Sequence, residues 1–203
     1  MGEEERGTGE CDTRSRVMKA ALEEFALCGY KGTSMKRIAE RAGVNEVTLF
    51  RHFGSKLELL RIAAEHAFQE LRVPVLSEEY LHLSLREGLN KMLHDYLERA
   101  PAQTDIFMLG MSESFAHPQI AEHFKKFAWQ NRVNLAEYFS QIHAAGKLKE
   151  TNFGVLAHLV LSSLYSLVLV RHRAPERVNL ELTEEGVVDA LITGIVCAYG
   201  NED

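Results

Sequence analysis

Apolar residues Val17, Ala21 and Phe25, flanked by Met18 and Leu22, recur at three- and four-residue spacing from Asp12 or Thr13 onward. They predict one face of a helix that ends at Gly29. Thr33 and Ser34 then offer an N-cap hydroxyl to a short amphipathic helix carrying Met35, Ile38, Ala39 and Ala42, and Gly43 stops it. Asn45 can cap the next helix, in which Leu49 and Phe53 point one way while Glu46, Val47, Phe50 and Arg51 must point elsewhere. Ser55-Lys56-Leu57-Glu58 has the Ser-x-x-Glu form of a capping box, so a long helix is predicted from Lys56. Beyond it the pattern predicts helices at about 56–73, 79–99, 104–115, 118–145, 152–173 and 184–199. The breaks fall at Pro74, at Pro101, before Pro118, at Gly146 and at Pro175. Thr104 and Thr183 read as N-caps, with Glu184 and Glu185 on the favourable end of the dipole.

The chain therefore reads as all-α. Two short helices separated by a glycine turn and packed on a longer one describe a helix-turn-helix at about 34–53, whose second helix can enter a major groove. Val44, Leu49 and Phe53 would anchor that helix on the scaffold. Periodicity alone is equally compatible with a plain helical hairpin in a bundle.

Charge changes this picture. The 203 residues carry a formal net charge of −6, yet residues 13–61 hold ten Lys and Arg against five Asp and Glu. Residues 1–12 are at −4 and residues 62–203 at −7. A basic segment in an acidic chain is the footprint of a surface that meets a polyanion. Cys11, Cys28 and Cys197 lie far apart with no C-x-x-C pair, which suits a reducing cytoplasm and neither a disulfide scaffold nor a zinc knuckle. The acidic, glycine-rich start is no signal peptide, no apolar run reaches the length of a membrane span, and residues 1–11 are expected to be a disordered tail.

Enzyme chemistry finds little purchase. Glu79-Tyr80-Leu81-His82 supplies a single Glu-x-x-His where a di-iron bundle needs two, and there is no H-E-x-x-H, glycine-rich phosphate loop or Gly-x-Ser-x-Gly. No catalytic residue, metal ligand or cofactor is expected. A non-regulatory helical DNA-binding protein and a metal-binding helical-bundle enzyme stay as alternatives.

From Thr13 to about Leu60 the chain resembles the DNA-binding domain of the tetracycline-repressor (TetR/AcrR) family. Gly29-Tyr30, Thr33-Ser34, Ile38-Ala39, Ala42-Gly43-Val44, Thr48-Leu49, His52-Phe53 and Ser55-Lys56 all fall at the family's spacing without a gap. The rest is similar to the family's regulatory domain in length and helical texture only. The resemblance implies a DNA-binding domain at 12–60, with a larger regulatory and dimerisation domain at 61–203 and about nine helices in total. It also implies a sequence-specific, cytoplasmic transcriptional regulator, a ligand-responsive repressor that binds a palindromic operator as a homodimer.

Carried over position by position, the resemblance places Thr33 or Ser34 on a phosphate at a helix N-terminus, with Lys36 as a further phosphate contact. Asn45, Glu46, Val47 and Thr48 would open the recognition helix toward the groove, Arg51 and His52 would approach base edges or backbone, and Lys56 would hold phosphate. Three residues depart from the family's habit. Val47 stands where glycine or proline is frequent and could touch a thymine methyl; Phe50 lacks the hydroxyl of the usual tyrosine; Glu46 either accepts from a cytosine amino group or is a non-contacting helix-start charge.

The last two helices are apolar on more than one face and must bury more than one. In this family the corresponding pair forms a four-helix bundle with a second subunit, which implies a dimer interface through Leu156, Leu159, Ser163, Leu167, Ala190, Leu191 and Gly194. The middle helices would hold a small apolar or aromatic effector against Tyr96, Phe107, Met108, Met111, Phe115, Phe127 and Trp129.

Overall fold

The computed structural model describes residues 4–70, 78–100, 104–173 and 183–201, and these residues form ten helices. They are α1 (Glu4–Gly32), α2 (Met35–Ala42), α3 (Glu46–Phe53), α4 (Lys56–Glu70), α5 (Glu78–His82), α6 (Leu85–Arg99), α7 (Thr104–Ser114), α8 (Pro118–Ala144), α9 (Phe153–Arg173) and α10 (Glu184–Tyr199). The expected all-α class holds. The breaks expected at Pro74, Pro101 and Pro175 lie outside the described residues. Among the described residues no helix is long and apolar enough to cross a membrane.

Three boundaries differ from expectation, the first being that α1 runs on to Gly32 across a kink at Gly29 (φ 65°), where its end was expected. α1 begins at Glu4, where a tail through residue 11 was expected. The single helix expected at 79–99 is two helices, which accounts for ten in place of about nine. Ser84 divides them: its hydroxyl accepts from the Glu87 N–H at 3.3 Å, and the Glu87 carboxylate accepts from the Ser84 N–H at 3.1 Å. This reciprocal cap starts α6 afresh. Lys147 Nζ donates to the carbonyls of Leu81 and Leu83, both at 2.7 Å, and so satisfies the end of α5.

The helices form two compact units, one comprising the described residues up to Gln69 with Asp105–Lys125, the other those of Glu70–Thr104 and Lys126–Asp203. In the first, Val17, Ala21 and Phe25 of α1 are buried with Ile38, Leu49 and Phe53, as the periodicity predicts. α4 belongs to this unit as far as Gln69, and that end is held by aromatic rings. The Phe68 ring lies 5.9 Å from that of Phe107 and 5.8 Å from that of Phe124. Gly110 lets α7 approach, since a Cβ there would sit 3.1 Å from Phe68 and 3.4 Å from Ala64.

In the second unit, Leu89, Leu93 and Tyr96 of α6, Leu135, Phe139 and Ile142 of α8, Val160 and Leu164 of α9, and Val188 and Ile192 of α10 are buried. Thr183 caps α10 as expected, accepting from the Gly186 N–H at 3.0 Å. Leu156, assigned above to the dimer interface, is instead buried within this unit, whereas Leu159 is 54% exposed. The two leucines are neighbours three positions apart, so the edge between the core-facing and solvent-facing sides of α9 runs between them.

Candidate nucleic-acid interface

The turn between α2 and α3 is set by Gly43. Its φ of 66° and ψ of 38° are left-handed, a conformation that favours glycine, and it lets the Val44 N–H reach back to the Ala39 carbonyl at 3.0 Å. Ser34 caps α2, its Oγ accepting from the Arg37 N–H at 3.2 Å. The Asn45 side chain caps α3, accepting from the Val47 N–H at 2.8 Å. Leu49 and Phe53 are buried and fasten α3 to the scaffold, while Asn45, Glu46, Val47, Phe50 and Arg51 are exposed and Thr48 and His52 half-buried. One eight-residue helix thus divides cleanly into an inner apolar side and an outer mixed side.

Thr33 and Lys56 meet at the corner between α1 and α2. The Thr33 hydroxyl is buried and donates inward, 2.7 Å from the Gly29 carbonyl and 3.0 Å from that of Glu24. It is committed to the fold, so Ser34 is the one of the expected pair whose side chain stands at the surface. Lys56 Nζ donates to the carbonyls of Tyr30 at 2.7 Å and Thr33 at 2.8 Å, and lies 4.4 Å from the Tyr30 ring centre. Two of its three donors thereby fix the start of α4 against the α1–α2 corner.

The capping box expected at Ser55 is half formed. Ser55 Oγ accepts from the Glu58 N–H at 3.1 Å, but the Ser55 N–H goes to the Phe53 carbonyl at 2.8 Å. The Glu58 carboxylate turns to Arg61, 2.6 Å from its Nη2, and hydrogen bonding there holds its pKa below the ordinary value. Arg61 Nη1 also lies 3.1 Å from Glu65 and 2.9 Å from His123 Nε2, which ties α4 to α8 within the first unit.

Glu24, which the sequence pattern did not single out, organises the basic surface. Its carboxylate is only 3% exposed; it accepts from Arg41 Nη2 at 2.7 Å and Nε at 2.8 Å, and lies 3.2 Å from Arg37 Nε. Part of the local positive charge is therefore neutralised inside the protein. The available signal was a pair of acids, Glu23 and Glu24, in an otherwise basic segment. Lys36 lies 3.9 Å from Glu40 with both side chains largely exposed, a pairing weak enough to yield to a phosphate.

The expected effector residues divide between the two units. Phe107, Met108, Met111 and Phe115 belong to the first unit, and Tyr96, Phe127 and Trp129 to the second. Phe115 and Trp129 are exposed, because the turn at the end of α7 and the outer face of α8 carry them into solvent. Tyr96 and Phe127 are buried, and burial pushes the Tyr96 hydroxyl's pKa far up. A shallow depression of about 460 Å³ lies against Trp129, Arg132, Val133, Asn152, Val155 and His158. Deeper in the second unit, Asn134 Nδ2 and the Tyr138 hydroxyl are buried without a hydrogen-bond partner among the described residues.

Known proteins match this arrangement. Residues 17–63 match the family model described as bacterial regulatory proteins, tetR family. Over 167 residues the chain is 24% identical to YvkB of Bacillus subtilis strain 168, an uncharacterised HTH-type transcriptional regulator, covering 82% of this chain and 86% of that one. The fold is that of a transcriptional regulator from Rhodococcus sp. Rha1, with a TM-score of 0.72 at 19% identity over 93% of this chain and 98% of the other. It is also that of PfmR, a TetR-family regulator from Thermus thermophilus, with a TM-score of 0.67 at 22% identity, covering 93% and 100%. The segment that matches the tetR family model is the one that builds the α2–Gly43–α3 reader, and the fold likeness to these regulators extends through the helices beyond it.

Proposed function

We propose that this helix-turn-helix transcriptional regulator binds a palindromic operator as a homodimer and changes its affinity for it when a small apolar or aromatic effector binds. The observation that carries the reading is the division of α3, with Leu49 and Phe53 buried and Val47, Phe50 and Arg51 presented outward from a basic segment. Ser34, Lys36 and the third donor of Lys56 serve phosphates; Asn45, Glu46, Val47, Thr48, Phe50, Arg51 and His52 face the groove. Thr33 contributes by fixing the corner through its hydroxyl, not by offering that hydroxyl to a phosphate. Two such readers on a two-fold axis match two half-sites in successive grooves.

Exposed Leu159, Ala190 and Gly194, with half-buried Ser163, Leu167 and Leu191, form the dimer surface. The effector is held in the larger helical unit, where buried Tyr96 and Phe127 supply apolar wall and Asn134 and Tyr138 supply unpaired polar groups. Coupling requires only that the effector prefer one of two conformers. α4 carries the change, since it joins the reader corner at Lys56 to the Phe68, Phe107 and Phe124 rings in the same unit. Selection of duplexes from a random pool, followed by fluorescence-anisotropy titration, tests the reading: an inverted repeat should emerge with two protomers bound. Failure to enrich any sequence would refute it. A thermal-shift screen against small aromatic compounds, with hits re-tested on the selected duplex, checks the effector arm.

A further inference from the structure

The outward face of α3 carries two large hydrophobic side chains outside the buried core of the first unit. Val47 is 75% exposed and Phe50 45% exposed, while Leu49 and Phe53 on the opposite side supply the anchor. Val47, Phe50 and Arg51 stand three and four positions apart, which places them on one face of the helix. Polar readout from that face is sparse. The Asn45 side-chain oxygen is occupied by the Val47 N–H, Glu46 can only accept, and Thr48 is half-buried. Phe50 has no hydroxyl to offer a phosphate. The thymine 5-methyl is the apolar group that base pairs present in the major groove.

Building on the DNA-binding reading above, we infer that Val47 and Phe50 form an apolar ridge that reads thymine methyl groups. Operator choice by this chain then rests in part on methyls, with Arg51 supplying the adjacent polar contact. The ridge and the methyls leave water together, so each contact gains what burying a methyl gains, while a cytosine at the same place offers an amino group that neither side chain can satisfy. Because both side chains are already solvent-exposed, their replacement leaves the core of the first unit intact.

The test uses the full-length protein and the duplex it selects from a random pool. Each thymine is replaced in turn by deoxyuridine, which keeps every hydrogen-bonding group and removes only the methyl. Binding should weaken about fourfold at each contacted thymine. Val47→Ala should bind the thymine and deoxyuridine duplexes equally at one such position, and Phe50→Ala at another, with circular dichroism unchanged. If the wild-type protein selects a duplex but no deoxyuridine replacement alters its affinity, the ridge is wrong and the DNA-binding reading stands. If both variants keep the full deoxyuridine penalty, the ridge is likewise wrong. If no sequence is selected at all, the DNA-binding reading falls and the inference with it.

Discussion

Helices α3 and α9 both leave large hydrophobic side chains in water, but in opposite company. On α3, Val47 and Phe50 share the surface with Glu46 and Arg51 on an eight-residue helix set in the basic segment. On α9, Val155, Leu159 and Leu169 are exposed in a stretch from 153 to 170 that contains no Asp, Glu, Lys or Arg, and α10 adds exposed Ala190, Gly194 and Cys197. An exposed apolar residue is therefore not a single kind of signal. Interleaved with charge it fits a polyelectrolyte whose groove has apolar edges; uninterrupted by charge it fits another protein surface.

The strongest way to break this contrast is to put a charge on the α9 face. Leu159→Arg would bury an unpaired charge if that face is covered by a second copy, costing ~3–5 kcal/mol and raising the dimer dissociation constant at least about a hundredfold. Sedimentation velocity should show a dimer become a monomer, and a wild-type monomer at micromolar concentration would refute the assignment. The two sides of α3 provide the next test. Leu49→Ala, at a fully buried position, should cost ~2–5 kcal/mol in urea denaturation, and Phe50→Ala within about 0.5 kcal/mol. Equal losses would mean that Phe50 is part of the anchor.

Lys56 separates fold from binding. Lys56→Ala removes hydrogen bonds to two carbonyls and should cost ~1–3 kcal/mol of stability. It should also weaken binding to all sequences alike and lower the salt slope by about 1. A slope that does not change would confine Lys56 to its structural role. The smallest expected effect lies in the second unit. Tyr80, through burial and its hydrogen bond to Asp95, is pushed up to about 12 from an ordinary value of 10.0. The folded state holds this proton more tightly than the unfolded chain, so the contribution is fully present below pH 10.0 and is lost as pH rises toward about 12. Tyr80→Phe should flatten that alkaline slope in urea titrations while costing under about 1 kcal/mol at pH 8, the scale of one neutral hydrogen bond. An unaltered slope would mean that another group titrates there.

Legibility followed the sharpness of the local pattern. α2 and α3 were readable because Met35, Ile38, Ala39, Ala42, Leu49 and Phe53 alternate with polar residues at helical spacing, and all six are buried. The Ser84-x-x-Glu87 cap carried an equally local signal, and passing over it merged α5 with α6. α9 offered no such contrast. Where nearly every position is apolar, sequence spacing does not show where the protein's own core ends, and of the neighbours Leu156 and Leu159 one is buried and the other exposed. Among the aromatic residues expected at the effector site, Phe115 and Trp129 have the side chains of a pocket wall but stand in solvent.

By itself the sequence determined the helical class, the Gly43 turn and the amphipathic split of the reader, because backbone conformation and helical periodicity are set by residues a few positions apart. The long-range partners were decided only by tertiary structure. Folding brought Arg37 and Arg41 onto Glu24, Lys56 onto the carbonyls of Tyr30 and Thr33, and Phe68 against Phe107 and Phe124. Each of these joins residues that chain distance hides, and each sets how much of a basic or aromatic side chain remains for a partner.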